Sequence, residues 1–363
     1  MPESLLTKFF PVPQLLTRHA AGLDLSNASL KIIDLKKNSD GLKLYRSGEV
    51  SFPEGTIRAG EITNSEALKS ALRDAKKEYR LDRVILSLPE EKSYLFAISI
   101  PYVSEKELRG VIELRLEEYV PLPPENILFD YEVIRFRPTA NELDVNVAVL
   151  PRPLVVSYTD LFREVGITVM CLYPEASAVA RAVIPNNNRE PTMIVDFGHT
   201  RTGISIVEGR NVLFNTVLEF GALDITRAVM KDFKVSYEEA ERLKREKGIR
   251  EEGEKNLFPA ALSSLAVLKD EIHKYHTYWN DRIAKEKNGG KIENMIFSGG
   301  GSALHGLSEF LASYIDVPFS IANPWTNVFS LEKEIPSVSR NDSLRFATAI
   351  GLALIEHDSL NYD

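Results

Sequence analysis

Asp24 and Asp196 each stand near the end of a short apolar run, Gly22 to Leu25 and Thr192 to Phe197, and each is followed by small or polar residues before another run begins. That spacing puts a carboxylate beside backbone N–H groups at a strand-to-strand turn, twice in one chain. Two such turns facing each other hold a triphosphate from both sides, the N–H groups contacting oxygens and the carboxylates holding Mg2+ through its waters. In Asp196-Phe197-Gly198-His199-Thr200, Gly198 permits close backbone approach, and Thr200 and Thr202 offer hydroxyls. An aspartate in a single turn is an ordinary turn former, so the signal lies in the pair. The third element is Ser298-Gly299-Gly300-Gly301-Ser302, directly after the apolar run ending at Phe297. Its glycines let backbone pass against a flat or anionic ligand, and Ser302 is placed to cap a following helix whose N-terminus adds partial positive charge. Taken alone, a glycine run of this kind is also a plain loop.

The elements that must position these residues follow from periodicity. Gly22 to Asp34 alternates apolar with small or polar residues, and a second apolar run covers Leu42 to Val50, together a strand meander. Thr63 with Glu66 reads as a capping box opening a helix over 64–79, followed by a strand Arg83 to Leu88. Tyr94 to Leu150 then reads as strand, helix capped by Ser104 and Glu107, strand Ile127 to Phe136, and strand Leu143 to Leu150. This α+β unit is bounded by Pro89 on one side and Pro151 and Pro153 on the other, which fits an insertion on a larger domain. Helix Leu154 to Val165, strand Thr168 to Leu172 and helix Glu175 to Ile184 follow. The second half repeats the first, with strands Thr192 to Phe197, Gly203 to Glu208 and Asn211 to Leu218. A helix-rich stretch from Ala222 to about Lys287, strand Lys291 to Phe297 and closing helices at 302–313 and 342–357 complete the pattern. Two meanders of similar layout imply a duplication with a cleft between the halves.

Composition narrows the classes. The chain has 363 residues, which at ~150 per domain implies between two and three domains. With 44 Lys and Arg against 52 Asp and Glu the net charge is −8, and no segment concentrates basic residues, so nucleic acid is not an expected partner. The single cysteine, Cys171, sits in an apolar run and reads as a small core residue in a reducing compartment. No apolar run approaches the ~20 residues of a membrane-spanning helix, and residues 1–16 are broken by Pro11 and Pro13, so neither a secretion signal nor a membrane anchor is expected. The tail residues Leu5, Leu6, Phe9 and Phe10 are candidates for docking a partner or covering the chain's own groove. No His, Cys or carboxylate spacing points to a metal other than Mg2+.

The order of these motifs resembles the actin-like ATPase superfamily over nearly the whole chain. Gly22-Leu23-Asp24-Leu25-Ser26-Asn27-Ala28-Ser29-Leu30-Lys31 is similar to its first phosphate loop, with Lys31 at the place of the phosphate-contacting lysine. Asp196 to Thr202 resembles the second phosphate loop and Ser298 to Gly306 the adenosine loop. Ala240-Glu241-Arg242-Leu243-Lys244 resembles the short helix over the adenine and ribose, which nominates Glu241 and Lys244; without the resemblance they read as solvated helix charges. Two departures stand out. The family usually has glycine where this chain has Ser26, whose Cβ crowds the phosphates, and Glu175, in the region that supplies a water-positioning glutamate, is one position out of register.

The position of the insertion resembles FtsA and PilM, not actin or MreB. The helix running into Tyr119-Val120-Pro121 and the stretch Glu219-Phe220-Gly221-Ala222-Leu223-Asp224-Ile225-Thr226 are similar to the PilM family, the latter to its Gly-Gly-x-x-x-Thr signature. The resemblance implies an α/β fold of the actin-like, ribonuclease H-like, two-lobed kind with an inserted α+β (SHS2-type) subdomain. Its implied parts are a tail 1–16, lobe 1 at 17–88 and 153–190, the insertion at 89–152, lobe 2 at 191–341 with a subdomain at about 222–290, and a closing helix 342–363. It further implies ATP and Mg2+ as ligands, Asp24 and Asp196 as metal-binding carboxylates, and slow or absent turnover with Asp24, Asp196 and Glu175 as the catalytic candidates. The implied role is a cytoplasmic adaptor for type IV pilus assembly. Its implied partner is the cytoplasmic tail of a PilN-type inner-membrane protein, through which it would sit at the inner face of the membrane; self-association is also compatible. An FtsA-like filament-forming division protein and an ATP-hydrolysing enzyme on the same cleft are the alternatives.

Overall fold

In the computed structural model the described residues are 19–39, 41–249, 257–283, 290–332 and 334–358. The tail 1–16, and with it the docking reading of Leu5, Leu6, Phe9 and Phe10, lies outside them, as does the end of the closing segment, 359–363.

The first meander forms β1 (Ala21–Leu25), β2 (Ser29–Asn38) and β3 (Gly41–Ser51), so the alternating stretch from Gly22 to Asp34 is two strands joined at Ser26 to Ala28. A two-residue hairpin, β4 (Ile57–Arg58) and β5 (Glu61–Ile62), leads to helix α1 (Ser65–Tyr79) and strand β6 (Arg83–Leu88). The cap of α1 lies one residue later than Thr63: Asn64 Oδ1 accepts from the Ala67 N–H at 3.1 Å, while the Thr63 hydroxyl donates to the carbonyls of Gly55 and Thr56. A carboxamide reaches the third N–H of the helix as readily as a hydroxyl does, and Thr63 is drawn off by the hairpin.

Strand β7 (Tyr94–Pro101), helix α2 (Glu105–Arg115), β8 (Ile127–Arg137) and β9 (Glu142–Pro151) make a separate antiparallel sheet, ordered β7-β9-β8, with Ile98, Ile100, Leu108, Ile112, Val145 and Val147 in its own core. The expected capping box of Ser104 and Glu107 is present. Helix α3 (Arg152–Val165), β10 (Thr168–Pro174) and α4 (Glu175–Val183) return the chain to the first sheet. The second half runs β11 (Pro191–Phe197), β12 (Thr202–Glu208), β13 (Asn211–Leu218), α5 (Ala222–Phe233), α6 (Tyr237–Lys247), α7 (Phe258–Tyr278), β14 (Asn294–Ser298), α8 (Leu307–Ala312), β15 (Phe319–Ile321), α9 (Arg340–Ser343) and α10 (Ala347–Asp358). β15 is a strand the periodicity did not reveal.

The two large sheets have matching topology. One is ordered β10-β6-β1-β2-β3 and the other β13-β12-β11-β14-β15, each an antiparallel meander extended by two parallel strands. In β11 the two-residue period divides the faces: Met193, Val195 and Phe197 point to the helices outside, and Ile194 points inward. Helices α1 and α3 cover the outer face of the first sheet through Leu68, Leu72, Tyr158 and Phe162, and α5, α7 and α8 cover that of the second. Between the sheets lie α4 and α10, whose Val179, Val183, Ile350 and Leu354 share one core with Ile33, Ile194 and Ile296 from both halves. Glycine is required at their crossing, because a Cβ on Gly351 would stand 1.8 Å from the Ala178 carbonyl oxygen. Among the described residues no helix is long and apolar enough to cross a membrane.

Candidate functional site

Parallel pairing brings the carboxyl ends of β1, β6 and β10 to one edge of the first sheet, and those of β11 and β14 to the corresponding edge of the second. Ligands of open α/β sheets bind at such edges. A cleft of about 870 Å³ lies between them. Of the sequence candidates, Asp24, Ser26, Asn27, Ala28, Lys31, Glu175, Asp196, Gly198, His199, Thr200, Glu241, Lys244, Gly299, Gly300 and Gly301 line it. Thr202, Gly221 and Ser302 do not line it and instead hold its walls. The Thr202 hydroxyl donates to the Phe220 carbonyl at 2.7 Å. Gly221 lets the second loop press on α5: a Cβ there would stand 2.4 Å from the His199 carbonyl oxygen, and the Ala222 and Leu223 amides donate to the carbonyls of Gly198 and His199. Ser302 caps no helix. It lies in a 3-10 turn, Gly300–Ala303, its hydroxyl donates to the Ser298 carbonyl, and α8 begins only at Leu307. The turn enters through Gly299 at a φ of +82° and closes with the Ser302 amide on the Gly299 carbonyl and the Leu304 amide on the Gly301 carbonyl, bonds to the third residue back that do not continue as an α-helix.

Asp24 is held from two sides. Lys31, its ladder partner on β2, approaches Oδ2 at 3.2 Å, and the Ser87 hydroxyl at the end of β6 donates to Oδ1 at 3.0 Å. Ser26 has a negative φ, so the turn's conformation does not require glycine, and its hydroxyl is folded into the hairpin, donating to the Ser29 carbonyl at 3.0 Å. Asp196 faces Asp24 from the other sheet; burial first, and then the charge of Asp24, push its carboxyl up to about 6. Gly299 closes the third loop against it. Its φ is +82°, and a Cβ would meet the Phe197 carbonyl oxygen at 2.5 Å and Asp196 Oδ1 at 2.9 Å. Over the far end, Lys244 Nζ donates to Glu241 and to the Thr226 hydroxyl, both at 2.6 Å, and to the Ala222 carbonyl at 3.1 Å. Glu241 is held below the usual carboxylate range: burial opposes this, and the hydrogen bonds from Lys244 and Thr226 outweigh it.

The floor carries charges that sequence reasoning passed over. Arg201 Nη2 donates to both oxygens of Glu175, at 2.7 and 2.6 Å, and Nη1 donates to Glu91. Glu90 beside them is buried, accepts from the Ala176 amide and is pushed up to about 7 by desolvation. Above the cleft, Arg345 donates to both oxygens of Glu49 on β3, at 2.7 Å each. A signal for Glu90 and Glu91 was present. They come one residue past the end of β6, after Pro89, and a strand parallel to β1 delivers the next residues to the same edge as Asp24. Arg201 lies within the second phosphate loop, Asp196 to Thr202, yet nothing along the chain marks its partners, and Arg345 carries no mark at all.

The model for the family described as type IV pilus assembly protein PilM matches residues 22–357. The chain belongs to that family. A structure titled as a PilM-PilN type IV pilus biogenesis complex is similar at 23% identity and a TM-score of 0.77, covering 93% of this chain and 98% of that one. MreB5 of Spiroplasma citri bound to ADP is similar at 13% identity and a TM-score of 0.55, covering 95% and 99%. The ethanolamine utilization protein EutJ of Carboxydothermus hydrogenoformans is similar at 15% identity and a TM-score of 0.50, covering 95% and 91%. The actin-like fold is therefore common to all of them. The Ser26 hydroxyl is committed within the hairpin, donating to the Ser29 carbonyl and accepting from the Ser29 amide. Among the described residues no group of three or more His, Cys, Asp or Glu could hold a metal ion by itself. Two facing carboxylates suit a cation that keeps its waters and takes further oxygens from a phosphate.

Proposed function

We propose that this chain is a nucleotide-binding adaptor of the type IV pilus assembly platform. It takes ATP with Mg2+ between its two halves and binds the cytoplasmic tail of a PilN-type inner-membrane protein, which would keep it at the inner face of the membrane. The observation that carries this reading is the convergence of two aspartate turns and a glycine loop, far apart in sequence, on one cleft. Asp24 and Asp196 would hold the Mg2+ waters, Gly198 to Thr200 the phosphates, Gly299 to Gly301 the adenosine, and Glu241 with Lys244 the sugar edge. The bound cation would neutralise charge on the phosphates. Family membership and the likeness to a PilM-PilN complex support the partner. The lobes at 17–88 with 153–190 and at 191–341, the insertion at 89–152 and the closing helix belong to the same reading. Because both Glu175 oxygens are engaged by Arg201, ATP acts chiefly as a structural ligand that fixes the angle between the halves.

The test is equilibrium binding of ATP with Mg2+, backed by thermal shift, for the natural chain and Asp196→Ala. At ~100 times Kd the ligand adds about 2.7 kcal/mol of stability. The natural chain is expected to gain this and the variant to lose it; a natural chain that gains nothing rejects the reading. Pull-down on a PilN-type tail with and without ATP checks the partner, and sedimentation checks self-association.

A further inference from the structure

We propose that Arg201 is the positioning residue of this cleft: it tethers the second phosphate loop to the opposite half of the molecule and supplies the positive charge that lets a floor of carboxylates accept a polyphosphate. This rests on the nucleotide reading above and deepens it.

The charge balance at the floor requires such a residue. Asp24, Glu90, Glu175 and Asp196 all line the cleft, with Glu91 adjoining, and Lys31 is already engaged by Asp24 at 3.2 Å. A phosphate chain brought against unrelieved carboxylates is repelled strongly where water is scarce. Arg201 sets a positive charge among them, held between Glu175 and Glu91. Its side chain is 17% exposed, and its planar fork reaches Glu175 and Glu91 at once, a geometry an ammonium group cannot copy.

The same contacts fix position. The Gly198 amide donates to the Arg201 carbonyl at 3.0 Å, so Arg201 closes the phosphate loop through its backbone. Its side chain ends on Glu175, the first residue of α4, and on Glu91, just past β6, both in the half opposite the loop. The halves cannot part at the floor without breaking these bonds. Removing one member of a buried pair leaves the other charge uncompensated, so the tether is expensive to break from either side. Arg201 itself lines the cleft, but its guanidinium is taken up by the two glutamates, so it acts through them and through the loop. The tether also makes Glu175 an anchor, leaving it unavailable to hold an attacking water.

The experiment compares Mg-ATP binding by the natural chain, Arg201→Gln, Glu175→Gln, the double variant and Arg201→Lys, with small-angle scattering of each in the nucleotide-free state. Each single Gln variant is expected to weaken binding at least tenfold and to scatter as a more open particle. The double variant should be no weaker than the worse single, and Arg201→Lys should recover part of the loss. An Arg201→Gln variant that folds and binds within twofold of the natural chain overturns the proposal, as do losses that multiply in the double. Should Arg201→Gln not fold, Glu175→Gln decides, since it keeps the shape and removes only the charge; unchanged affinity there overturns the tether. A natural chain that binds no Mg-ATP removes the functional reading and this one with it, whereas a binding natural chain with indifferent variants removes this one alone.

Discussion

Glu90 shows how the cleft couples to pH. Burial beside Asp196 pushes its carboxyl up to about 7 in the fold, against 4.5 when unfolded, with the charge of Arg201 opposing the rise. A folded-state value above the unfolded one means that the native chain holds the proton more tightly. The stability this gives is complete below about pH 4.5 and is lost as pH rises through 7. His199 and His357 act in the opposite sense, both held below 6.5 chiefly by burial, so the informative window lies above that pH. Between pH 6.5 and 8 Glu90 by itself should contribute a loss on the order of 1 kcal/mol in the nucleotide-free protein, about 1–2 °C in Tm, beside the losses of Glu175 and Asp196, whose carboxyls are raised in the same sense. Glu90→Gln should flatten that slope, and a scanning melt of both chains across the window would check it. Equal slopes would show that Glu90 is ionised throughout. Mg2+ favours the charged carboxylates, so its stabilising effect should grow over the same interval.

The helices between the sheets depend on small residues. Gly351 on α10 crosses Ala178 on α4 with no room for a methyl group, and Gly22 on β1 approaches the Ala349 carbonyl oxygen so closely that its Cβ would stand 2.2 Å away. Gly351→Val should therefore cost more than the ~1–3 kcal/mol of ordinary overpacking, because the obstacle is backbone. Gly110 in the middle of α2 has nothing within 4 Å of its Cβ position, and Gly110→Ala should stabilise by about 0.5–1 kcal/mol. Denaturant melts of the two variants separate close packing from glycine's intrinsic cost. Elements like these were readable where the apolar period is long and its ends are marked, as in β6, β13 and the Ser104 capping box. β15 escaped because three residues carry too little period, and its pairing with β14 is a tertiary fact. The cap at Asn64 escaped because Thr63 competes for the same role one position earlier. In the site, residues on a turn of recognisable spacing, such as Asp24 and Asp196, were legible. Arg201 was not, since an arginine's partners are chosen by the fold and leave no pattern along the chain.

At the scale of the molecule, the inserted sheet is bound to both halves. Strand β7 alternates: Phe96, Ile98 and Ile100 face its own α+β core, while Leu95 enters the core between the large sheets and Ala97 and Ser99 share that second face. Small side chains there let β7 lie along β13, the edge of the second sheet. Arg135 on β8 adds a bridge, reaching Asp144 at 2.8 Å and Glu208, at the end of β12, at 2.9 Å. Arg135 is 40% exposed on its side chain, so Arg135→Ala should cost no more than about 1 kcal/mol. Leu95 is 9% exposed in the shared core, and Leu95→Ala should cost about 2–4 kcal/mol. The two modes of attachment predict different melts. A subdomain hung only on the first half would unfold in a transition of its own, whereas one wedged against both should melt with them. The natural chain is therefore expected to unfold in a single transition, with amide exchange in β7 and β9 as slow as in β13. In Leu95→Ala exchange should rise in β7, β9 and β13 together while β8 changes less. Faster exchange confined to the inserted sheet would show that it is carried by the first half alone, and that a partner seated on it would have no mechanical path to the angle between the halves.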